Sequence, residues 1–257
     1  IMVTRKFLSS TFKQSCIFYA DLPRIDVDYT VDWKEKKILL KADFPVDDNA
    51  THATYDIQFG NYKRPTHRNT LWDFAQFEVV GHKWVALSDN SFGLSVLNDC
   101  KYGHDIKDGH IRPSLQRCAD NPNNEQDSEI HHFTYSLYPH AGSVDTSDVV
   151  NQGYSLNLPL YCVSGKAAHD SYSLVSTDKD NVIIETVKKS EDSDDVVIRA
   201  YETWNKTTDC VYTFDRAPKS VYVCNLLEEN EEQLEVSGNT VSLRFKPFEI
   251  KTVKVTF

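Results

Sequence analysis

Apolar and polar residues alternate along much of the first half of the chain. From Ile25 to Trp33 every second residue is apolar and the residues between are polar, which predicts a strand with one buried face. The alternation returns over residues 38–44 after a charged segment. We therefore predict that the two stretches form an antiparallel hairpin, which ends at Pro45 because proline cannot donate to a ladder.

Short apolar runs continue this pattern toward the middle of the chain. Residues 55–59, 92–97 and 132–138 are predicted strands, and no segment keeps the i, i+3, i+4, i+7 spacing of an amphipathic helix. Between residues 166 and 180 the composition becomes polar, and several short apolar runs then follow up to the C-terminus. The chain is therefore predicted to be all-β.

The segment after the polar stretch is predicted to form a second domain. Ser237-Gly-Asn239 lies between two apolar runs, and Gly and Asn favour a hairpin turn because both tolerate positive φ. Short strands at this spacing are typical of a small β-sandwich. We place the boundary near residue 172, which divides the chain into domains at 1–172 and 173–257.

Charge and cysteine content narrow the expected partners and location. The 257 residues carry a formal net charge of -10 without a basic run, so no nucleic acid is expected as a partner. No window approaches the roughly 20 apolar residues of a membrane helix, so no membrane is expected either. The six cysteines form no CxxC pair, which favours buried thiols in a reducing compartment and a cytoplasmic location. A chain that begins at Ile1 is expected to be part of a longer protein.

The sequence lacks the spacing of a catalytic or metal-binding motif. His131 and His132 are adjacent on a predicted strand, so their side chains point to opposite faces and cannot chelate together. A glycosidase needs two carboxyl groups at one sugar bond. Four carboxylates stand in or near the densest stretch of polar and aromatic residues: Asp73, Glu78, Asp89 and Asp99. Their spacing does not show that any two converge, so solvated side chains are the favoured interpretation.

The segment from residue 64 to residue 73 is the candidate binding loop. Aromatic rings stack on the C–H bonds of a sugar, and Arg, Asn, Asp and His bind its hydroxyls. The segment offers both kinds of group: Arg64, His67, Asn69, Trp72 and Asp73. Because polar loop residues are often functional, substrate binding and a structural role are both open. Trp84 lies within an apolar run and is predicted to be in the core.

Several longer sequence motifs resemble those of one known family. They follow in order: Asp43-Phe-Pro-Val46, Tyr55-Asp-Ile-Gln-Phe-Gly60, Arg64-Pro-Thr-His67, Trp72-Asp73, Phe77-Glu-Val79, His82-Lys-Trp84, Leu97-Asn-Asp-Cys-Lys-Tyr-Gly103 and Phe133-Thr-Tyr-Ser-Leu-Tyr-Pro-His140. From about residue 19 onward the chain is similar to the C-terminal region of the α-mannosidases of glycoside hydrolase family 38, in particular the cytosolic and bacterial branch. It departs from that branch at Ala86, where an Asp is usual.

The resemblance implies a galactose-mutarotase-like β-supersandwich followed by a small C-terminal β-sandwich. It also implies that the catalytic residues and a zinc ion belong to an N-terminal barrel of the same polypeptide, which no segment of this chain resembles. The chain would then be the non-catalytic part of an exo-acting α-mannosidase that acts on mannose-containing oligosaccharides. It would hold no cofactor and have no activity alone, and the loop at residues 64–73 would touch the substrate or the junction with the barrel.

Two other functions stay open from the sequence. The chain could be a freestanding carbohydrate-binding module, which needs only a sugar-contact surface. It could also be a sugar mutarotase-like protein, since one fold hosts many functions, but mutarotation needs a general acid and a general base on one face. Barrel motifs in the upstream reading frame would favour the mannosidase over both.

Overall fold

The computed structural model describes residues 1–257, which fall into two units, Ile1–Tyr161 and Cys162–Phe257. The sequence places the boundary somewhat later, near residue 172. Both positions lie in one irregular segment, because no helix or strand occurs between Asn157 and Val175. The domain division at residue 172 therefore stays a prediction.

The first unit is built from two β-sheets. In chain order its strands are β1 (Met2–Phe7), β2 (Ser10–Phe18), β3 (Ile25–Asp32), β4 (Leu39–Lys41), β5 (Phe44–Pro45), β6 (His52–Ile57), β7 (Gly60–Pro65), β8 (Val79–Val80), β9 (Trp84–Ser88), β10 (Phe92–Asn98), β11 (Gly103–Lys107), β12 (His110–Arg117) and β13 (Ile130–Ala141). One sheet has the order β1-β2-β3-β13-β10-β9-β6-β7, and the other has the order β4-β12-β11-β8 with β5 beside β12.

The core of this unit lies between the two sheets. Val31 of β3 packs in one cluster with Leu115 of β12, and Tyr55 of β6 packs in another with Ile111 of β12. Trp84 is fully buried, as the sequence predicts. Ala86 is also buried and lies within β9, so the position at which the chain departs from the family pattern is part of a strand. The all-β prediction is confirmed.

The predicted hairpin between residues 25–33 and 38–44 is wrong. The alternation correctly identifies the buried face of β3, where Val27, Tyr29, Val31 and Trp33 enter the core. However, β3 pairs with β2 and β13, while β4 pairs with β12 in the other sheet. The charged segment carries the chain across the sandwich, so the two stretches face each other through the core and do not share hydrogen bonds.

The first unit contains two short α-helices: α1 (Leu71–Ala75) lies between β7 and β8, and α2 (Val149–Asn157) follows β13 after a 3₁₀ helix at Val144–Thr146. Helix α2 buries Val149, Val150 and Gly153. A Cβ at Gly153 would lie 2.8 Å from Cδ1 of Trp84, so only glycine lets α2 lie this close to β9. Neither helix is long and apolar enough to cross a membrane.

A buried ion pair connects β3, β13 and α2. The Arg24 guanidinium donates from Nε to Asp26 Oδ1 at 2.8 Å and from Nη2 to Oδ2 at 3.1 Å. Ser136 donates to Oδ1 at 2.6 Å, and Tyr19 donates to Oδ2 at 2.7 Å. Burial opposes ionisation of this carboxyl, but the four donated hydrogen bonds and the Arg24 charge together hold the pKa of Asp26 below its usual value. The Arg24 side chain also donates to the Gln152 side chain at 3.2 Å.

The second unit is a smaller pair of sheets with its own core. Its strands are β14 (Val175–Thr177), β15 (Val182–Lys189), β16 (Val196–Glu202), β17 (Thr208–Phe214), β18 (Ser220–Cys224), β19 (Asn230–Leu234), β20 (Val236–Ser237), β21 (Thr240–Phe245) and β22 (Ile250–Thr256). The sheet orders are β14-β17-β21-β20 and β15-β16-β22-β18-β19. The predicted hairpin turn is confirmed, because β20 pairs with β21 across Gly238, whose φ is +61°.

The six cysteines are all free thiols. Cys118, Cys210 and Cys224 are buried, whereas Cys100 and Cys162 are exposed. Burial raises the pKa of Cys210 to about 11, so that thiol is protonated at neutral pH.

Candidate functional site

Helix α1 contains the end of the candidate loop, and a capping box caps its N-terminus. Thr70 is the N-cap, and its hydroxyl accepts from the backbone N–H of Asp73 at 3.1 Å. The Asp73 carboxylate in return accepts from the backbone N–H of Thr70 at 3.0 Å and from its hydroxyl at 2.8 Å. The Thr70 hydroxyl, with further help from the Thr70 and Asn69 amides and His67, holds the pKa of Asp73 below its usual value.

Helix α1 is apolar but buries none of its residues. Leu71 is 87% exposed, Trp72 81%, and Phe74 65%, and the following Phe77 is 61% exposed. We call these four residues the α1 apolar surface. Core-facing helices of a globular unit bury such side chains, so this helix is held in place by polar contacts instead.

A polar cleft lies beneath the loop and is lined by three of the five predicted site residues, Arg64, His67 and Asp73. The other side chains that close it include Tyr55, Arg68, His104 and Asp105. The cleft offers about 20 Å³ to the centres of water-sized spheres, which is room for about one water molecule. A sugar ring does not fit into it.

Arg64 stands out in this cleft because its charge has no carboxylate partner. Its guanidinium carbon lies 4.9 Å from the ring centre of Tyr62 and 5.5 Å from that of Tyr55, so it is held by two cation–π contacts. Its Nε–H is buried and has no hydrogen-bond acceptor in the protein.

Arg68 fastens the loop to the second sheet. Its Nη2 donates to Asp105 Oδ1 of β11 at 2.8 Å and to the carbonyl of Phe77 at 3.0 Å. Asp105 also lies 3.7 Å from Arg112 and 3.9 Å from Lys41. The Asp105 carboxylate therefore interacts with three cationic side chains, and its bond to Arg68 fixes the position of α1 over the second sheet.

His104 forms the floor of the cleft and is fully buried. Its Nδ1 lies 3.1 Å from the carbonyl oxygen of Tyr102, while its Nε2 has no partner in the protein. Burial lowers the pKa of His104 to about 4, so the ring is neutral at pH 7.

The structure brings together only part of the predicted site. Arg64, His67 and Asp73 share the cleft, and His67 Nδ1 lies 3.8 Å from Asp73 Oδ2. Asn69 is exposed and Trp72 points into solvent, and neither side chain lines the cleft.

Tyr55, Arg68, His104 and Asp105 also line the cleft but are not among the site residues predicted from the sequence. Arg68 lies within the candidate segment and could have been chosen by its charge alone. The other three reach the cleft through the register of β6 and β11, which no local spacing reveals.

The four candidate carboxylates do not converge on one site. Asp73 lines the cleft under α1, while Glu78 and Asp89 line two other clefts. Asp89 Oδ1 accepts from the backbone of Ser91 and Phe92, and Asp99 Oδ2 accepts from the backbone of Thr134 at 2.9 Å. Asp89 and Asp99 therefore serve as acceptors for backbone N–H groups. The chain also brings together no group of three or more His, Cys, Asp or Glu side chains suited to a metal ion such as zinc.

Comparison with known families gives matches in both units. Residues 1–125 match the family described as Glycosyl hydrolases family 38 C-terminal domain. Residues 181–253 match the Glycosyl hydrolases family 38 C-terminal beta sandwich domain.

Related proteins match over nearly the whole chain. Alpha-mannosidase G of Dictyostelium discoideum is 40% identical over 254 residues, which cover 96% of this chain and 23% of that protein. Human alpha-mannosidase 2C1 is 36% identical over 249 residues, which cover 94% of this chain and 24% of that protein. This chain therefore spans about a quarter of the length of the relatives it matches.

Solved structures show the same fold. The crystal structure of an alpha-mannosidase from Enterococcus faecalis V583 matches with a TM-score of 0.80 at 18% identity, over 95% of this chain and 29% of that one. A glycosyl hydrolase family 38 protein from Enterococcus faecalis matches with a TM-score of 0.77, also at 18% identity, over 95% of this chain and 30% of that one.

Proposed function

This chain belongs to the C-terminal domains of glycosyl hydrolase family 38, and we propose that it forms the non-catalytic end of a longer, exo-acting α-mannosidase. In this proposal the preceding part of the same polypeptide supplies the catalytic barrel and its zinc ion, and removes terminal α-mannosyl residues from an oligosaccharide. The length of the relatives supports the proposal, since roughly three quarters of each lies outside the matched region. A cytoplasmic location is part of the same proposal.

The α1 apolar surface is the observation that carries it. Four large apolar side chains within seven residues are each more than half exposed: Leu71, Trp72 and Phe74 on a helix that buries nothing, and Phe77 just after it. Several exposed apolar side chains close together in sequence are typical of an interaction site. A preceding catalytic domain of the same polypeptide is a partner that is present at high effective concentration, so even a modest contact area would keep it docked.

Within that arrangement we assign the α1 apolar surface to the domain junction. The adjoining polar groups, Arg64, His67 and Asp73, would line the edge of the junction and form part of the wall of the substrate pocket. Asn69 and Trp72 are exposed outside the cleft and would contact the catalytic part or a bound sugar. Arg64 is the group best suited to a ligand, because its charge is not used by any carboxylate in this chain.

A freestanding sugar-binding module is supported less well. The cleft under α1 admits about one water molecule. Two wider clefts of about 490 and 420 Å³ are lined by no Phe, Tyr or Trp, so neither offers an aromatic face for a sugar ring.

The proposal can be tested with a pair of matched leucine substitutions in the full-length protein. Leu71 is 87% exposed on α1, and Leu227 is 78% exposed in the second unit. We expect Leu71→Ser to lower kcat/KM for an aryl α-mannoside, or the Tm of the full-length protein, and Leu227→Ser to leave both unchanged. In the 257-residue chain alone, Leu71→Ser should leave the Tm unchanged, because the side chain has no cover there. If the two variants behave alike in the full-length protein, α1 does not lie at the junction.

Activity of the chain alone provides a second test. Because we assign the nucleophile and the zinc ligands to the preceding part, the purified chain should not hydrolyse an aryl α-mannoside, with or without added zinc. Turnover that a single change such as Asp73→Asn abolishes would contradict the assignment.

A further inference from the structure

The core-forming face of the eight-stranded sheet continues onto β2 and β1, the two strands at one edge of that sheet. The register of β2 with β3 sets Phe12 opposite Val31 and Phe18 opposite Ile25. Residues that pair directly in an antiparallel ladder lie on the same face of the sheet. On β2 the core-side residues are therefore Ser10, Phe12, Gln14, Cys16 and Phe18.

The same face extends to β1, the outermost strand. Arg5 of β1 pairs with Phe12, so the two side chains share this face. Phe7 lies on it as well, because its ring stacks on that of the buried Trp33 with 6.1 Å between the ring centres. The core-side residues here are Ile1, Val3, Arg5 and Phe7. We call the core-side residues of β1 and β2 the edge face.

Burial falls across this face toward the edge of the sheet. On β3, Tyr29 is 8% exposed and Val31 is fully buried. On β2, Phe12 is only partly buried against the same core cluster, and Phe18 is 59% exposed. Ile1, at the outer edge, is 76% exposed. The second sheet therefore covers β3 but leaves the edge face largely open.

The two faces of these strands differ in composition. The edge face has six apolar residues: Ile1, Val3, Phe7, Phe12, Cys16 and Phe18. The opposite face is polar except for Met2 and Ile17, and it consists otherwise of Thr4, Lys6, Thr11, Lys13 and Ser15. Such one-sided alternation is typical of a sheet whose apolar face is buried. The edge face is therefore the side of β1 and β2 that is suited to a cover.

Charge and chain direction identify the cover. The first 20 residues contain Arg5, Lys6 and Lys13 but no Asp or Glu. A second copy that paired edge to edge through β1 would bring these cations close to their own counterparts, which is unfavourable. Ile1 exchanges two backbone hydrogen bonds of 2.8 Å with Cys16, so a polypeptide that continues upstream of Ile1 starts from this edge. An upstream segment of the same polypeptide reaches the edge face at high effective concentration.

We propose that the edge face is the docking surface for the segment of the longer polypeptide directly before Ile1, which completes the β-sandwich of the first unit. The segment lies beside β4 on the side of the second sheet, about 10 Å from β1 and β2. It places apolar side chains over Phe7 and Phe18 and supplies an acceptor for Arg5. The inference rests on the proposed function for the existence of that longer polypeptide. The α1 apolar surface is a separate one, because α1 follows β7 at the opposite edge of the sheet.

The first test measures cover at two positions of one strand in the full-length protein. Phe18→Cys places a thiol on the edge face, and Lys13→Cys places one on the opposite face of β2. A water-soluble maleimide, followed peptide by peptide with mass spectrometry, should label position 18 about tenfold or more slowly than position 13, because labelling under a cover requires local opening. Equal rates at the two positions would overturn the inference. Slow labelling at position 18 supports it even if the parent does not hydrolyse an aryl α-mannoside, a result that would contradict the proposed function alone.

The second test identifies the cover. A phenylalanine that carries a benzophenone group at position 18 keeps an aromatic ring there, and light should join it to a peptide upstream of Ile1 in the same molecule. The same group at position 13 should not react with that peptide. Absence of the bond from position 18, or a bond that forms only between two molecules, would overturn the inference. Because this variant retains the ring, the result does not depend on the folding of Phe18→Cys.

Discussion

Mild acid is expected to destabilise the first unit through protonation of His104 in the unfolded chain. The side chain is fully buried in the floor of the cleft, and burial lowers its pKa from 6.5 to about 4. The Tyr102 carbonyl and Glu78 favour the protonated ring, whereas Lys41 opposes it, and these contributions are smaller than that of burial. Arg64, Arg68 and Asp105 face the same cleft.

The direction follows from which state binds the proton. Between pH 6.5 and about 4, His104 takes up a proton in the unfolded chain but not in the folded one. The contribution of the neutral His104 ring to the free energy of unfolding is therefore fully present above pH 6.5 and is lost as the pH falls. The difference between the two pKa values corresponds to about 3 kcal/mol at full effect, of which about 2 kcal/mol or more is lost by about pH 4.5.

The assay is urea unfolding at a series of pH values, followed by tryptophan fluorescence. Trp33 and Trp84 are fully buried in the first unit and report on its unfolding. His104→Asn is the non-titrating variant, because the Asn amide can occupy the place of Nδ1–H and donate to the Tyr102 carbonyl. It should be less stable than the parent at neutral pH, but its stability should change less between about pH 7 and pH 4.5.

Other groups are common to both proteins and cancel in the comparison. Burial also lowers the pKa of His140, which acts in the same direction as His104. Burial raises the pKa of Asp56, which acts in the opposite direction. Equal losses of stability in the parent and in His104→Asn would refute the reasoning, as would an NMR titration of His104 with a pKa near 6.5 in the folded chain.

Three further predictions follow from the first unit. Asp26→Asn should lower the free energy of unfolding in urea melts by about 3 kcal/mol, because it leaves the buried Arg24 without its counter-charge. The control is Asp145→Asn, which loses an exposed pair with Lys63 at 3.5 Å. Its free energy of unfolding should stay within about 1 kcal/mol of the parent. Asp73→Ala should leave the Tm of the chain unchanged, since the capping box lies on a helix that buries nothing. In the full-length protein the same change should alter KM or kcat for an aryl α-mannoside if Asp73 touches the sugar. It should lower the Tm if Asp73 lies only at the junction. The chain alone should unfold cooperatively with a β-type circular dichroism spectrum and should bind a hydrophobic dye less strongly after Trp72→Ser, and a helix-dominated spectrum would contradict this.

The sequence predicts which residues of a strand are buried much better than it predicts the neighbours of that strand. The alternation from Ile25 to Trp33 gives the core face of β3 correctly, because a period of two depends only on the strand itself. Its partners in β2 and β13 are set by packing across the whole unit, and β13 lies about a hundred residues away. The nearby stretch at residues 38–44 had the right pattern for a partner, but its apolar face is needed on the opposite side of the core.

Part of the site could be predicted because its chemistry is local. Arg64, His67 and Asp73 lie within ten residues of one another, and the turn before α1 brings them to one cleft. The capping box of α1 was also available in the sequence, since Thr70 and Asp73 have the required spacing. His104 and Asp105 could not be predicted, because the register of β11 against β12 and β8 places them beneath the loop.

The apolar residues around α1 show why hydrophobicity alone misidentifies this surface. Leu71, Phe74 and Phe77 have the character of core residues, yet the structure leaves each more than half exposed, while the equally apolar Trp84 is fully buried nearby in sequence. Hydrophobicity alone cannot distinguish the two cases, because burying either kind of side chain gives a favourable transfer free energy. The difference lies in what covers them: strands of this unit cover Trp84, and no residue of this chain covers Leu71. The capped and exposed helix α1, which Arg68 and Asp105 tie to the second sheet, is therefore the surface that we propose for the junction with a preceding catalytic domain.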